Sequence, residues 1–145
     1  MTGLRRAFLA VVPPPSVRRW AASAQNSAAA VTRDLRWAPP EQLHVTLQFL
    51  GRVDAPAVVA GFVADAARRR EPFVLSCGGG GAFPNARRAS VLWLGVRQDG
   101  MQQRAAPLTD LAESLAALVE DDRPYRPHLT LARAPRGRDL RAAVA

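Results

Sequence analysis

The sequence contains no lysine. All twenty cationic side chains are arginine, against twelve carboxylates, so the 145-residue chain has a formal charge of +8 and a pI near 11.5. That absence removes Schiff-base lysines, the phosphate-loop lysine and the lysine adenylate of ATP-dependent nucleic-acid ligases. Cys77 is the sole cysteine, which excludes a disulfide framework and a cysteine-built metal site and points to a cytoplasmic setting. No apolar run approaches the ~20 residues of a membrane span, so no membrane partner is expected. Arg5-Arg6 followed by Ala7 to Val12 is too short for a secretory leader and lacks a small-residue cleavage site; it reads as a first buried strand. Coding bias explains the choice of arginine over lysine, but not the excess of positive charge, which fits a polyanionic partner such as RNA. With 48% apolar and 22% charged residues, one globular domain over 1–145 is expected.

Histidine is nearly absent too, and the two present share a pattern: His44-Val45-Thr46-Leu47 and His128-Leu129-Thr130-Leu131. Given five threonines and sixteen leucines, both histidines gaining Thr two places on is about a 1 in 800 coincidence, and adding Leu at the third place makes it about 1 in 70,000. On a strand, residues two apart share a face about 7 Å apart. His and Thr then line one face while Val45, Leu47, Leu129 and Leu131 enter a core. On a helix the pair would diverge by about 200°. The spacing predicts two strands that offer an imidazole and a hydroxyl each to a common groove.

In chain order, residues 5–12 read as a strand stopped by Pro13-Pro14-Pro15. Ser16 to Val31 reads as a helix, with Val17, Trp20, Ala21 and Ala24 as its apolar stripe. The first motif strand spans about 43–50 and is expected to break at Gly51. Asp54 is the expected N-cap of a helix over 55–70, whose Arg68-Arg69-Arg70 suits the helix dipole. Phe73 to Cys77 predicts a strand, Gly78 to Gly81 a flexible turn and not a phosphate loop, and Ala89 to Val96 a buried strand. Phe83 to Arg88 between them is a basic hairpin-like loop. Pro107 to Val119 forms an amphipathic helix with Leu108, Leu111, Leu115 and Leu118 on one stripe, and Glu120-Asp121-Asp122 a solvated turn. The second motif strand is expected to close at Pro135. Similar surroundings of the two motifs, 84 residues apart, hint at internal duplication.

An imidazole titrates near pKa 6.5, so two on one groove can act as base and acid. Such a pair suits in-line displacement at phosphorus, with the threonine hydroxyls donating to non-bridging oxygens. Two histidines supply only two metal ligands, and Glu41 sits at an odd offset from His44, so no metal is expected.

These blocks resemble a known family, the two-histidine phosphoesterases, and within it the bacterial RNA 2′,3′-cyclic phosphodiesterases, or 2′-5′ RNA ligases. The likeness runs over residues 4–135. It is carried by Arg36-Trp37 to Pro40 with Gln42 to Gly51, by Arg88 to Gly95, and by Asp122 to Arg133. The resemblance implies an α+β fold: a bilobal, pseudo-symmetric domain with antiparallel sheets around a central cleft and helices outside. It also implies strands past the second motif that this chain does not show.

The implied activity is hydrolysis of an RNA-terminal 2′,3′-cyclic phosphate to a 2′-phosphomonoester by a monomer, with no metal or nucleotide cofactor, and with reverse 2′-5′ ligation as a secondary reaction. By the same likeness His44 is the proton donor and His128 the proton acceptor, although spacing alone does not order those roles. Thr46 and Thr130 hold phosphate oxygens, Arg133 contacts phosphate and Phe49 stacks on a base. Arg133 and Phe49 each lie five places after a histidine, an odd offset that points away on an ideal strand, so each role needs its strand to end or twist; for Phe49 a core position is the competing reading. Two other functions remain open: the same chemistry on a small nucleotide or ADP-ribose cyclic phosphate, and a non-catalytic RNA-end binding module.

Overall fold

The computed structural model describes residues 3–98, 106–118 and 125–144. Its strands are β1 (Leu4–Val11), β2 (Arg36–Trp37), β3 (Val45–Val53), β4 (Leu75–Phe83), β5 (Ala89–Gln98) and β6 (His128–Arg138). Its helices are α1 (Pro15–Ala29), α2 (Pro56–Arg68), α3 (Ala106–Ser114) and α4 (Arg141–Val144), with 3-10 turns at Pro40–Gln42 and Leu115–Leu118. The class is α+β with antiparallel pairing, as expected. No helix among the described residues is long and apolar enough to cross a membrane. The chain divides into two compact units, and neither is continuous. One takes Met1–Val11, Thr46–Ser76 and Arg97–Pro127; the other takes Val12–Val45, Cys77–Val96 and His128–Ala145.

The unit holding both histidines is built on β6. β5 pairs along one edge of β6, while Val45 and then β2 pair along the other, at Val45–Leu129, Trp37–Ala132 and Arg36–Arg133. The proline run sets the start of α1: Pro14 is its N-cap residue and Pro15 opens the first turn, where a missing N–H costs nothing. Ala21, Gln25 and Ala28, at helical spacing, are the buried stripe of α1. Trp20, expected in that stripe, is instead 45% exposed. Ala28 joins Ala89, Leu92, Ala132 and Leu140 in a core, with Trp37, Ala143 and Val144 packed against it. One face of this sheet is therefore closed by α1 and α4.

Two expectations fail in this unit. Gly78 to Gly81 is not a turn, because β4 runs through it to Phe83. Gly81 shows why glycine stands there: a Cβ would lie 2.1 Å from the Trp93 ring. Nor does Pro135 close β6, which continues to Arg138. Between the pairs Val91–Arg133 and Ala89–Arg138, β5 advances two residues and β6 five. Pro135, whose missing N–H would leave a ladder bond unmade, sits in that irregular stretch.

In the other unit β1 pairs with β3. β3 does not break at Gly51; it continues to Val53, with Gly51 in the left-handed region at φ 66°. Asp54 does not cap α2, whose N-cap residue is Ala55 without a side-chain bond, because the Asp54 carboxylate accepts from Arg52 at 3.0 Å. Leu108, Ala112 and Leu115 are the buried stripe of α3, which tightens into a 3-10 turn at Leu115. Gln48 of β3 donates to the Ala112 carbonyl at 2.9 Å. The Glu120-Asp121-Asp122 turn lies outside the described residues.

Candidate active site

The first motif alternates as a strand should. Leu43, Val45 and Leu47 are buried, and His44, Thr46 and Gln48 between them are half-buried. His44 falls one residue before β3, after the 3-10 turn. Its Nδ1 lies 2.7 Å from the Gln42 carbonyl oxygen. A carbonyl can only accept, so Nδ1 carries a proton in this bond, and Nε2 is the ring nitrogen the bond does not use. Antiparallel pairing of Val45 with Leu129 sets the residues beside them across from each other, so His44 stands opposite Thr130. Along β6, His128 and Thr130 share a face, while Leu129 between them is fully buried on the other.

The ring of His128 is fixed by aromatic neighbours. Phe83 meets it edge to face at 4.9 Å between centroids and Trp93 lies tilted at 6.2 Å; those two rings are 5.0 Å apart. The ladder explains the grouping, since Gly95 pairs with His128 and Trp93 with Thr130, on the open face. Phe83 falls in the loop expected over 83–88 and Trp93 in the buried strand expected over 89–96; nothing local marks them, because cross-strand register brings them to the histidine.

Arg133 reaches that face through a bulge. Leu92 pairs with Ala132 and Trp93 with Thr130, so β6 spends one extra residue, Leu131. The extra residue shifts the alternation. Leu131 and Ala132 are both buried, then Arg133 is exposed and Ala134 buried. The odd offset that pointed Arg133 away from His128 on an ideal strand is thereby cancelled. Gln25, reaching from α1, donates to the Leu131 carbonyl at 3.0 Å and to the Ala38 carbonyl at 2.8 Å, and the Ala38 N–H also donates to Leu131 at 2.9 Å. The bulge is clamped from the core side.

The remaining two expected residues belong to the other unit. Thr46 follows Val45 directly, and its backbone carbonyl accepts from the Tyr125 phenol at 2.7 Å; burial pushes the Tyr125 pKa well up, so it stays a donor. Phe49 is 62% exposed and tilted against Phe8 at 6.0 Å, which removes the core reading. In the 83–88 loop, Asn85 accepts from the backbone N–H groups of Arg87 and Arg88. Among the described residues no three His, Cys, Asp or Glu side chains are placed to hold a metal ion.

Strand pairing thus brings two imidazoles, a hydroxyl and an arginine into one unit, a set of groups able to exchange protons and to bind an anion. The chain belongs to the 2′-5′ RNA ligase superfamily, whose family model matches residues 13–145. It is 35% identical over 148 residues to the RNA 2′,3′-cyclic phosphodiesterase of Methanothermobacter thermautotrophicus, covering 96% of this chain and 77% of the relative. It is 33% identical to the enzyme of that name from Aquifex aeolicus, spanning 68% of this chain but only 54% of that relative. Among solved structures, E. coli LigT complexed with 3′-AMP superposes with a TM-score of 0.66 at 26% identity, covering 92% of this chain and 73% of LigT.

Proposed function

We propose that this chain hydrolyses RNA-terminal 2′,3′-cyclic phosphates to 2′-phosphomonoesters, as a monomer without metal or nucleotide cofactor. His128 takes a proton from water as its oxygen attacks phosphorus. The bond from phosphorus to O3′ breaks, and His44 delivers a proton to the departing oxygen. Thr46 and Thr130 donate to the non-bridging oxygens, Arg133 makes a charge-assisted contact to a phosphate of the RNA, and Phe49 stacks on the terminal base. With a 5′-hydroxyl in place of water the same steps give a 2′-5′ linkage. The observation that carries this reading is the Val45–Leu129 pairing, which sets His44 across from Thr130 on β6, beside His128. The names of the relatives supply the substrate class.

The test is turnover of a short RNA ending in a 2′,3′-cyclic phosphate, in EDTA. Wild type should yield the 2′-phosphate, and His44→Ala and His128→Ala should each lose about 10²–10⁴-fold in rate. Turnover surviving in either variant would remove the paired-histidine mechanism. A folded wild type with no turnover would leave a small cyclic phosphate or non-catalytic end binding as the function.

A further inference from the structure

β2 is only two residues long, yet it places Arg36 directly opposite Arg133 in an antiparallel ladder. Side chains facing each other there have Cβ atoms about 5 Å apart, and like charges so placed repel. Both arginines are exposed, while Trp37 and Ala132, the next pair along, face the core. Arg36 and Arg133 therefore share the open face with His128 and Thr130.

Nothing among the described residues neutralises them. Neither guanidinium has a hydrogen bond or ion pair there. The nearest carboxylate in sequence, Asp34, is taken by Arg138. Arg133 lies three residues beyond Thr130 along β6, about 7–10 Å at strand rise. One nucleotide of extended backbone covers a similar distance. The bulge and the Gln25 clamp hold this like-charged pair on the histidine face despite its repulsion, which is the arrangement an anion between the two side chains would relieve.

We infer that Arg36 and Arg133 form a second anion subsite, which takes the phosphodiester immediately 5′ of the cyclic-phosphate nucleotide and makes the protein prefer an RNA end to a mononucleotide. The inference rests on the function proposed above. Arg36 is its new component.

The test compares cytidine 2′,3′-cyclic phosphate, the dinucleotide CpC ending in the same group, and that dinucleotide with a neutral methylphosphonate linkage. Wild type should favour the charged dinucleotide over both others by about tenfold in kcat/KM, as expected of a charge-assisted contact. Arg36→Gln should cut that preference to within about twofold, and Arg36→Lys should keep part of it. Equal use of the charged and neutral linkages by wild type overturns the subsite, and so does a preference untouched by Arg36→Gln. The neutral linkage tests the idea on an unaltered protein should the variant not fold. Calorimetric binding of the charged and neutral CpC 2′-phosphates separates this inference from the catalytic one. With no turnover, tighter binding of the charged ligand by wild type than by Arg36→Gln upholds the subsite alone, and equal binding removes it.

Discussion

Gln25 is the only buried polar side chain among the described residues, and its amide donates to two backbone carbonyls at the bulge. Its burial cost is offset only while both bonds are made. Gln25→Leu keeps the volume roughly but leaves the Ala38 carbonyl short of this donor and the Leu131 carbonyl with only the Ala38 N–H. A loss of about 1–3 kcal/mol is expected in urea or thermal unfolding. Because the clamp holds the phase of β6, the same variant should weaken binding of a phosphate-ended RNA. Unchanged stability would mean that the bulge stands without its clamp. At this scale the sequence was half legible. The histidines and threonines stood out as repeated and rare, whereas Gln25, Phe83, Trp93 and Tyr125 act through partners 35 to 106 positions away, and no local spacing carries that information.

Among the elements, α4 offers a pH test. The Asp139 carboxylate accepts from the Arg141 guanidinium at 2.6–3.1 Å and from the Arg141 backbone N–H at 3.1 Å, at the start of the helix. The guanidinium first, and the N–H second, lower its pKa from 3.8 to about 2. A carboxyl depressed on folding supports the fold above its unfolded value and loses that support as pH falls. The seating of α4 should hold above about pH 4 and loosen towards pH 2, read from the amide NMR shifts of Ala142 to Val144; Asp139→Asn should abolish the titration. Which elements form was largely legible. Alternation marked the motif strands, and proline marked the start of α1. Element ends were not: Gly51 and Pro135 read as breaks, but a strand tolerates a left-handed glycine or a proline where the ladder is already irregular. The four-glycine run read as a turn because its reason, room for the Trp93 ring, lies on another strand. The bulge at Leu131 was illegible, for Leu-Thr-Leu-Ala-Arg looks the same with or without an extra residue.

For the molecule as a whole, a charge of +8 without lysine makes association with RNA an exchange of bound counterions. The logarithm of affinity for an RNA end should fall linearly with that of salt concentration, with a slope near −0.7 per phosphate contacted. Fluorescence titration between 50 and 300 mM salt reads it, and a slope near zero would exclude backbone contacts. The partition of the chain carries a last consequence. His44, His128, Arg36 and Arg133 all fall in one unit, and Thr46 and Phe49 in the other. On the function proposed above, proton transfer and base recognition are written on separate segments of the chain. Recombining residues 47–76 with those of a relative would then trade the aromatic platform while leaving the imidazole pair and Thr46 as inherited, so new end preferences could arise by exchange of one segment without rebuilding the proposed chemistry.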